Sequence, residues 1–515
     1  MNPDLANDLA RAADEMASRG EAQETATPAQ TDGRSRTSKE NGKKGGRPSI
    51  DWNLAAQAFQ AQEGRILWRK GLFYRYTAKT GCYEAMTEGE LGAYISGYLR
   101  RGGGGTAIPR YSPSAEAALV KALRSGDTSE TATSFTLLPP VFLSTGEPAT
   151  HFMAFPNGLL DVEKAARGEE GALSAHTDDY FSTLHMPYRY DQDAQCPRFD
   201  AALRQILPDE KSRLMLQMMA GLLLIPDTSY NVAFILYGEP GSGKSTVIRI
   251  LTAMLGISNV CSLPMDMMGE KHSLHRLTTT LANFVDDSPI AGASRFQTTS
   301  AIEGQIKKIT TGGLVHCEPK GCDVWEAPAI ARCVFAMNPP LPEFTDRGDG
   351  LWDRWRLIHF PVRIRETGSE IRDLAAQITG EELEGVYQWA LDGLSLLRQR
   401  TTFPKDGEGQ AILDALRLDL DREGQFLRER YQAAPGATAV PTTDAYTDYT
   451  EWCKARGYNF KNERNFRESV KRIFPGTEVR RAMVRDRSSD ISKQRMAYVG
   501  IAPVAEEPGQ ETDIF

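Results

Sequence analysis

An apolar run, Val232-Ala233-Phe234-Ile235-Leu236-Tyr237, leads straight into Gly238-Glu239-Pro240-Gly241-Ser242-Gly243-Lys244-Ser245. No other stretch restricts the fold as much. A short, wholly apolar run is what a strand buried in a parallel sheet looks like. The octapeptide fits G-x-x-x-x-G-K-[ST], and the pattern after it, Ser245–Leu255, is helical. Glycines let backbone N–H groups turn inward around phosphate oxygens. Lys244 adds a positive charge toward the β and γ phosphates, and the Ser245 hydroxyl can ligate Mg²⁺. With Thr246, residues 238–246 form the candidate ATP-binding segment. The competing reading is a glycine turn without chemistry; the flanking strand and helix weigh against it.

Two further apolar runs end in polar residues, at Asp286-Asp287 and at Asn338. Strands alternating with helices imply a central parallel sheet with its site at the strand C-terminal ends. One carboxylate there can hold Mg²⁺ and a second can orient an attacking water; Asp286 is assigned to the metal and Asp287 to the water. Solvated loop acids are the alternative. Asn338 could bond the γ phosphate or the water, or simply turn the chain before Pro339-Pro340. Leu351-Trp352-Asp353-Arg354-Trp355-Arg356 sets two guanidiniums in an apolar context. Either could reach a neighbour's γ phosphate as an arginine finger, or both could stack on the tryptophans.

Residues 1–50 have almost no large apolar side chains and end in a basic run, the pattern of a disordered tail. An α/β domain is expected over 51–195, with a hairpin around Lys70-Gly71 and a helix near Glu90–Arg100. A helical segment over 196–228, the ATPase core over 229–370, and helices with a Pro/Ala/Thr linker at Ala433–Thr443 follow. Residues 504–515 read as a polar tail. The net charge of −8 excludes a uniformly basic nucleic-acid coat, so any nucleic-acid contact needs a local basic surface. Seven cysteines without paired spacing point to a reducing, cytoplasmic setting. Cys317 and Cys322 have no following ligand pair, so a hairpin is expected there rather than a zinc site. No apolar run is long enough to span a bilayer.

The segment 441–503 carries many Lys and Arg. Helices over Ala445–Arg456 and Asn462–Phe474, then strands over Glu478–Val484 and Arg495–Ile501, suggest a winged-helix variant of helix-turn-helix. Lys461, Arg464, Arg467 and Lys471 would be its DNA-contacting residues; a solvated basic face is the alternative.

Taken in order, the loop, the paired acids, Lys307-Lys308-Ile309-Thr310-Thr311-Gly312-Gly313, Glu318-Pro319-Lys320 and the strand ending in Asn338 resemble superfamily 3 helicases of phage and plasmid primase-helicase proteins. Asn157-Gly158-Leu159-Leu160-Asp161, Pro187-Tyr188 and Phe199 also resemble that family. The resemblance covers roughly residues 60–370 and, more weakly, the chain through 501. It implies an AAA+-like hexameric ring that moves 3′ to 5′ on single-stranded DNA and helps to open a replication origin of a mobile element. It implies Lys320 on a hairpin facing the channel, and Arg354 as the finger ahead of Arg356. Two departures stand out: the acid pair is Asp-Asp where Glu is common, and Leu314 follows Gly313 where an acid is common. No D-x-D carboxylate pair in an N-terminal polymerase-like fold and no zinc-ligand cluster marks a fused primase, so a separate primase or host replication proteins would be partners. An ATP-switched origin-binding initiator and a small-molecule P-loop kinase are the rival classes. The first would not displace strands; the second would form no ring and ignore DNA.

Overall fold

The computed structural model describes residues 50–69, 71–102, 110–125, 140–269, 274–286, 300–318, 324–342, 344, 349–364, 373–458, 460–486 and 489–504. Residues 1–49 of the tail expected over 1–50, most of the glycine run 102–105, Asp287, Lys320, Cys322 and residues 505–515 lie outside them.

The N-terminal part opens with α1 (Trp52–Glu63) and an antiparallel sheet, β1 (Ile66–Arg69), β2 (Leu72–Thr77) and β3 (Cys82–Met86), in order β1-β2-β3. The first pair is the expected hairpin, in register Ile66↔Arg75 to Arg69↔Leu72. Helix α2 (Glu88–Arg100) starts on a capping box: Thr87 Oγ1 accepts from the Glu90 N–H, and the Glu90 carboxylate accepts from the Thr87 N–H. With α3 (Pro113–Ser125) these elements close a core around Phe59, Phe73, Leu91, Ile95 and Leu119. Short strands follow: β4 (Val141–Phe142), β5 (Phe152–Phe155), β6 (Gly158–Asp161), then α4 (Val162–Ala166), β7 (Leu173–Ser174) and β8 (Tyr180–Phe181). Phe155-Pro156-Asn157-Gly158 is the turn of the β5–β6 hairpin.

Helices α5 (Pro197–Ile206) and α6 (Glu210–Leu222) precede the central sheet. Its strands are β9 (Ala233–Gly238), β10 (Val260–Cys261), β11 (Ala282–Val285), β14 (Arg332–Met337) and β15 (Trp355–Phe360), all parallel, in order β10-β11-β14-β9-β15. Helix α7 (Lys244–Leu255) follows β9. Between β11 and β14 come α8 (Ser300–Thr310) and the hairpin β12 (Leu314–Cys317)–β13 (Trp325–Pro328). The short α9 (Asp349–Trp352) leads into β15.

Both faces of this sheet are covered, which is why its strands read as continuous apolar runs. Phe234 and Leu236 face one core with α5, α6, α7 and the later helices α10 (Leu374–Glu381) and α11 (Leu383–Arg400). Ala233 and Ile235 face a second core with α8, the β12–β13 hairpin and α12 (Glu408–Leu420). Helices α6 and α11 touch backbone to backbone. A Cβ on Gly221 would meet the Leu394 nitrogen at 2.2 Å, and one on Gly393 would meet the Gln217 carbonyl oxygen at 2.0 Å. Neither glycine leaves room for a side chain.

A second link crosses the same region. Arg398 on α11 pairs with Glu163 at 2.5 Å and Asp227 at 2.7 Å, and bonds the Tyr230 hydroxyl at 3.1 Å. Burial works against ionisation of Asp227. Hydrogen bonds from Ser229 and from the Arg398 guanidinium outweigh it, so the carboxyl sits below its usual range.

The C-terminal part begins one residue after α12. Asp421 caps α13 (Arg422–Arg430), accepting from the Gly424 N–H at 3.2 Å. It also takes the Arg472 guanidinium at 2.7 Å. Then come β16 (Tyr431–Ala433), β17 (Val440–Pro441), α14 (Thr442–Ala455), α15 (Glu463–Ile473), β18 (Glu478–Asp486), β19 (Ser489–Val499) and β20 (Ile501–Pro503). The order of the larger sheet is β17-β19-β18, and β16 pairs with β20. The stretch Ala433–Thr443, expected to be a linker, is therefore built into the fold. Val440 and Pro441 pair with Tyr498 and Ala497, and Thr442 starts α14. The core of this unit also reaches back past residue 441. Phe426 and Leu427 pack with Tyr449, Trp452, Phe466 and Val470. No helix among the described residues is long and apolar enough to cross a membrane.

Candidate active site

The parallel register brings the sequence-selected polar residues to one end of the sheet. Met337 pairs with Tyr237 and Phe360 with Gly238, so Asn338 and the loop after Gly238 leave the sheet at the same level. Val285 pairs with Phe335, which sets Asp286 beside them.

Within the loop, Gly243 has φ +94°, a left-handed conformation that a side chain disfavours. It is the N-cap of α7 and supplies no side chain to the first-turn N–H groups. A helix start of this kind suits an anion. Lys244 is buried, 7% exposed. Its Nζ donates to the Gly238 carbonyl at 2.7 Å, the Glu239 carbonyl at 2.9 Å and Ser242 Oγ at 3.2 Å. A buried ammonium needs such partners. Carbonyl dipoles hold it as a charge that a stronger anion can attract.

Ser245 Oγ donates to Asp286 Oδ1 at 2.7 Å. These are two hard oxygen donors side by side. Among the described residues no cluster of three or more His, Cys, Asp or Glu forms a protein cage for a metal. A pair of donors fits Mg²⁺, which keeps waters and takes its other ligands from phosphates. The remaining loop positions, Pro240, Gly241, Ser242 and Thr246, surround this pair in sequence, and the Gly241 carbonyl accepts from the Ile364 N–H at 3.1 Å.

Arg363 pairs with Glu239 at 3.4 Å. Sequence reasoning did not single it out. Its signal was only its place just past the strand that ends at Phe360, the neighbour of Gly238 in the sheet.

The two arginines near Trp355 are elsewhere. Arg354 immediately precedes β15, at the opposite end of the sheet; its carbonyl accepts from the Ala233 N–H at 2.9 Å. From Arg354 to Phe360, at about 3.3 Å per residue, the separation from its own loop is ~20 Å. Arg354 is half-buried. Its Nε donates to Thr310 Oγ1 at 3.0 Å and its Nη1 to the Gly350 carbonyl. Arg356 is 7% exposed, and its Nη1 donates to the Asp353 and Trp355 carbonyls, each at 2.8 Å. Burial lowers its pKa, with Asp353 opposing. The rings of Trp352 and Trp355 contact Phe344.

Lys320, expected at the tip of the β12–β13 hairpin, and Asp287 lie outside the described residues. The hairpin's base is in register from Leu314↔Pro328 to Cys317↔Trp325.

In the C-terminal unit, α15 buries Phe466 and Val470 and turns charge outward. Arg464 has 86% of its side chain exposed and lies 3.5 Å from Glu468. Lys471 is exposed. Arg467 pairs with Glu463 at 3.0 Å. Lys461 differs: it lies 3.5 Å from Glu423, whose side chain is only 1% exposed, so its charge answers a buried carboxylate.

Comparisons with known proteins match three separate segments. Residues 111–208 match the family described as D5 N terminal like. Residues 236–354, from within β9 to Arg354, match a family of unknown function, DUF5906. Residues 422–503 match the RFX DNA-binding domain. Among solved structures, the apo structure of the NrS-1 C terminal region (305-718) superposes with a TM-score of 0.52 at 13% identity, covering 88% of this chain and 100% of that one. Two A-form apo structures of the same region give 0.48 and 0.49, each at 11% identity, covering 88% and 87% of this chain and 100% and 99% of theirs. The chain is thus similar, in order, to a D5 N terminal like segment, a family without assigned function and a DNA-binding domain, on a fold similar to that of the NrS-1 C terminal region.

Proposed function

We propose that this chain is an ATP-dependent DNA helicase of the phage primase-helicase type. It would belong to superfamily 3, have an AAA+-like motor and work as a homo-hexameric ring in the cytoplasm. The observation that carries the reading is the Ser245–Asp286 oxygen pair beside the buried Lys244 ammonium, at the C-terminal edge of a parallel sheet. ATP supplies the phosphoryl group, and Ser245 and Asp286 would hold its Mg²⁺. Lys244 exchanges carbonyl partners for the β and γ phosphates. Asp287 orients the attacking water and Asn338 bonds the water or the γ phosphate. Arg354, ~20 Å from its own loop along β15, acts on the adjoining subunit's site. A ring in which each interface joins one loop to one finger would use that arrangement. Lys320 contacts single-stranded DNA.

The match of residues 111–208 to the D5 N terminal like family supports this reading, and the fold is similar to that of the NrS-1 C terminal region. The C-terminal unit, with its order β17-β19-β18 and helices α13 to α15, is read as a winged helix that docks origin DNA. Among the described residues, the free thiols of Cys82, Cys196, Cys261, Cys333 and Cys453 suit a reducing compartment. The test is ATP turnover with and without single-stranded DNA, together with strand displacement on a forked duplex. DNA-stimulated turnover with displacement is expected; turnover without displacement overturns the motor. A second reading has one observation in its favour, the match of 422–503 to a DNA-binding domain. It makes the chain an ATP-switched origin-binding initiator, and in the same assay it predicts duplex binding without displacement.

A further inference from the structure

Thr310 is the last residue of α8 and is 2% exposed. Two arginines, one that opens β14 and one just ahead of β15, meet on it. Arg354 Nε donates to its hydroxyl oxygen at 3.0 Å, and Arg332 Nη1 donates to its carbonyl at 3.0 Å. The hydroxyl proton is used in turn: Ile306 O and Lys307 O lie 2.9 and 3.0 Å from Oγ1. A hydroxyl that donates to its own helix presents a lone pair in a fixed direction. That lone pair is what Arg354 Nε meets. The bonds to Thr310 and Gly350 use Nε and Nη1 and leave Nη2 outside both.

Arg332 makes the arrangement stiff. It opens β14, the strand whose other end leads to Asn338, and it is 1% exposed. Its Nε and Nη2 have no hydrogen-bond partner among the described residues. Burial pushes its pKa down to about 10. A guanidinium this poorly solvated holds strongly to the carbonyl it has. Thr310 is therefore clamped at its carbonyl from β14 while its hydroxyl steers Arg354.

We propose that Thr310 is a positioning residue for the arginine finger: its hydroxyl fixes the Arg354 guanidinium in the pose that serves the adjoining subunit's site. This rests on the reading of Arg354 given above. Losing the acceptor frees a side chain with many rotamers, so fewer fingers are correctly aimed at any moment.

The experiment uses the full chain and compares Thr310→Val, which keeps the shape and removes the acceptor, with Thr310→Ser, which keeps the acceptor. Thr310→Val should lower kcat for ATP by ~10-fold or more with KM changed less than about twofold, and Thr310→Ser should restore most of it. Subunit mixing locates the defect. Thr310→Val mixed with Lys244→Ala should regain activity, because intact loops then meet intact fingers across some interfaces. Thr310→Val mixed with Arg354→Ala should not, since both lie on the finger side. If Arg354→Ala abolishes turnover while Thr310→Val turns over like the parent, the positioning role is wrong and the finger stands. If Thr310→Val is rescued by Arg354→Ala, or Thr310→Ser is as poor as Thr310→Val, the positioning role is also overturned. If Arg354→Ala itself has full turnover, the finger reading beneath the proposal fails.

Discussion

Ser245 and Asp286, brought together from α7 and the end of β11, share a 2.7 Å hydrogen bond between hydroxyl and carboxylate. Both oxygens would turn to one Mg²⁺ when nucleotide is bound. Asp286→Asn and Ser245→Ala should therefore each lower ATP turnover by about 10²-fold or more. Lys244→Ala should abolish it and weaken nucleotide binding. Circular dichroism should show an intact fold in all three. Turnover within twofold of the parent in any of them would remove that residue from the site.

Arg354 and Gly238 occupy opposite ends of the β9–β15 pair. Lys244→Ala and Arg354→Ala should each be nearly inactive, yet equal amounts mixed should regain turnover at about one interface in four. Labelled chains check that subunits exchange. Exchange without regained activity would mean that Arg354 does not act across the interface. The same mixture made with Arg356→Ala should behave differently, because Arg356 is buried against the Asp353 and Trp355 carbonyls and its loss would act on folding.

On α15, Arg464 and Lys471 project outward while Lys461 answers the buried Glu423. Replacing Arg464 and Lys471 together by Ala should weaken duplex binding and reduce the salt slope by about one per lost phosphate contact, without changing stability. Lys461→Ala should instead lower the thermal midpoint, because it removes the ammonium 3.5 Å from the buried Glu423. Titrations of duplex at several salt concentrations, with melting curves alongside, separate the two. An unchanged slope in the double variant would assign α15 to a solvated face.

Arg398 holds Glu163 and Asp227 together. Arg398→Leu should cost roughly 1–3 kcal/mol at neutral pH, read from urea denaturation. Asp227 has a depressed folded pKa, so its contribution is present above the unfolded carboxylate value of about 3.9 and is lost as pH falls through the folded value. The gap between parent and variant should therefore narrow below about pH 4. A gap that stays constant down to pH 3 would show that the pair adds nothing through ionisation.

How much of this could be read from the chain depended on distance along it. The strand, loop and helix around Lys244 are contiguous, and each shows its own local pattern, so they were legible. The β1–β2 hairpin and α15 were legible for the same reason. Asp286 and Asn338 could be named because strand ends are where parallel sheets gather polar groups. Contacts between distant segments were not legible. Nothing near Thr310 announces Arg354, and nothing near Arg398 announces Glu163. The stretch Ala433–Thr443 misled because its composition is that of a linker. Its strand residues, Ala433 and Val440–Pro441, pair with Ile501 and with Ala497–Tyr498, which come much later. Lys461 has a neighbour the chain did not announce, the buried Glu423, 3.5 Å from its ammonium.

The junction at Asp421 has a consequence for geometry on DNA. Leu420 is anchored in the second core of the central sheet and Phe426 in the C-terminal core, with no slack chain between them. Asp421 is bonded at once to the α13 start and to Arg472 on α15. The C-terminal unit is thus bolted to the central-sheet part of the chain rather than tethered to it. On the proposed function, such a joint makes the C-terminal unit a ruler: the stretch of duplex it grips and the point where strands first part would be separated by a constant number of base pairs, whatever the sequence in between.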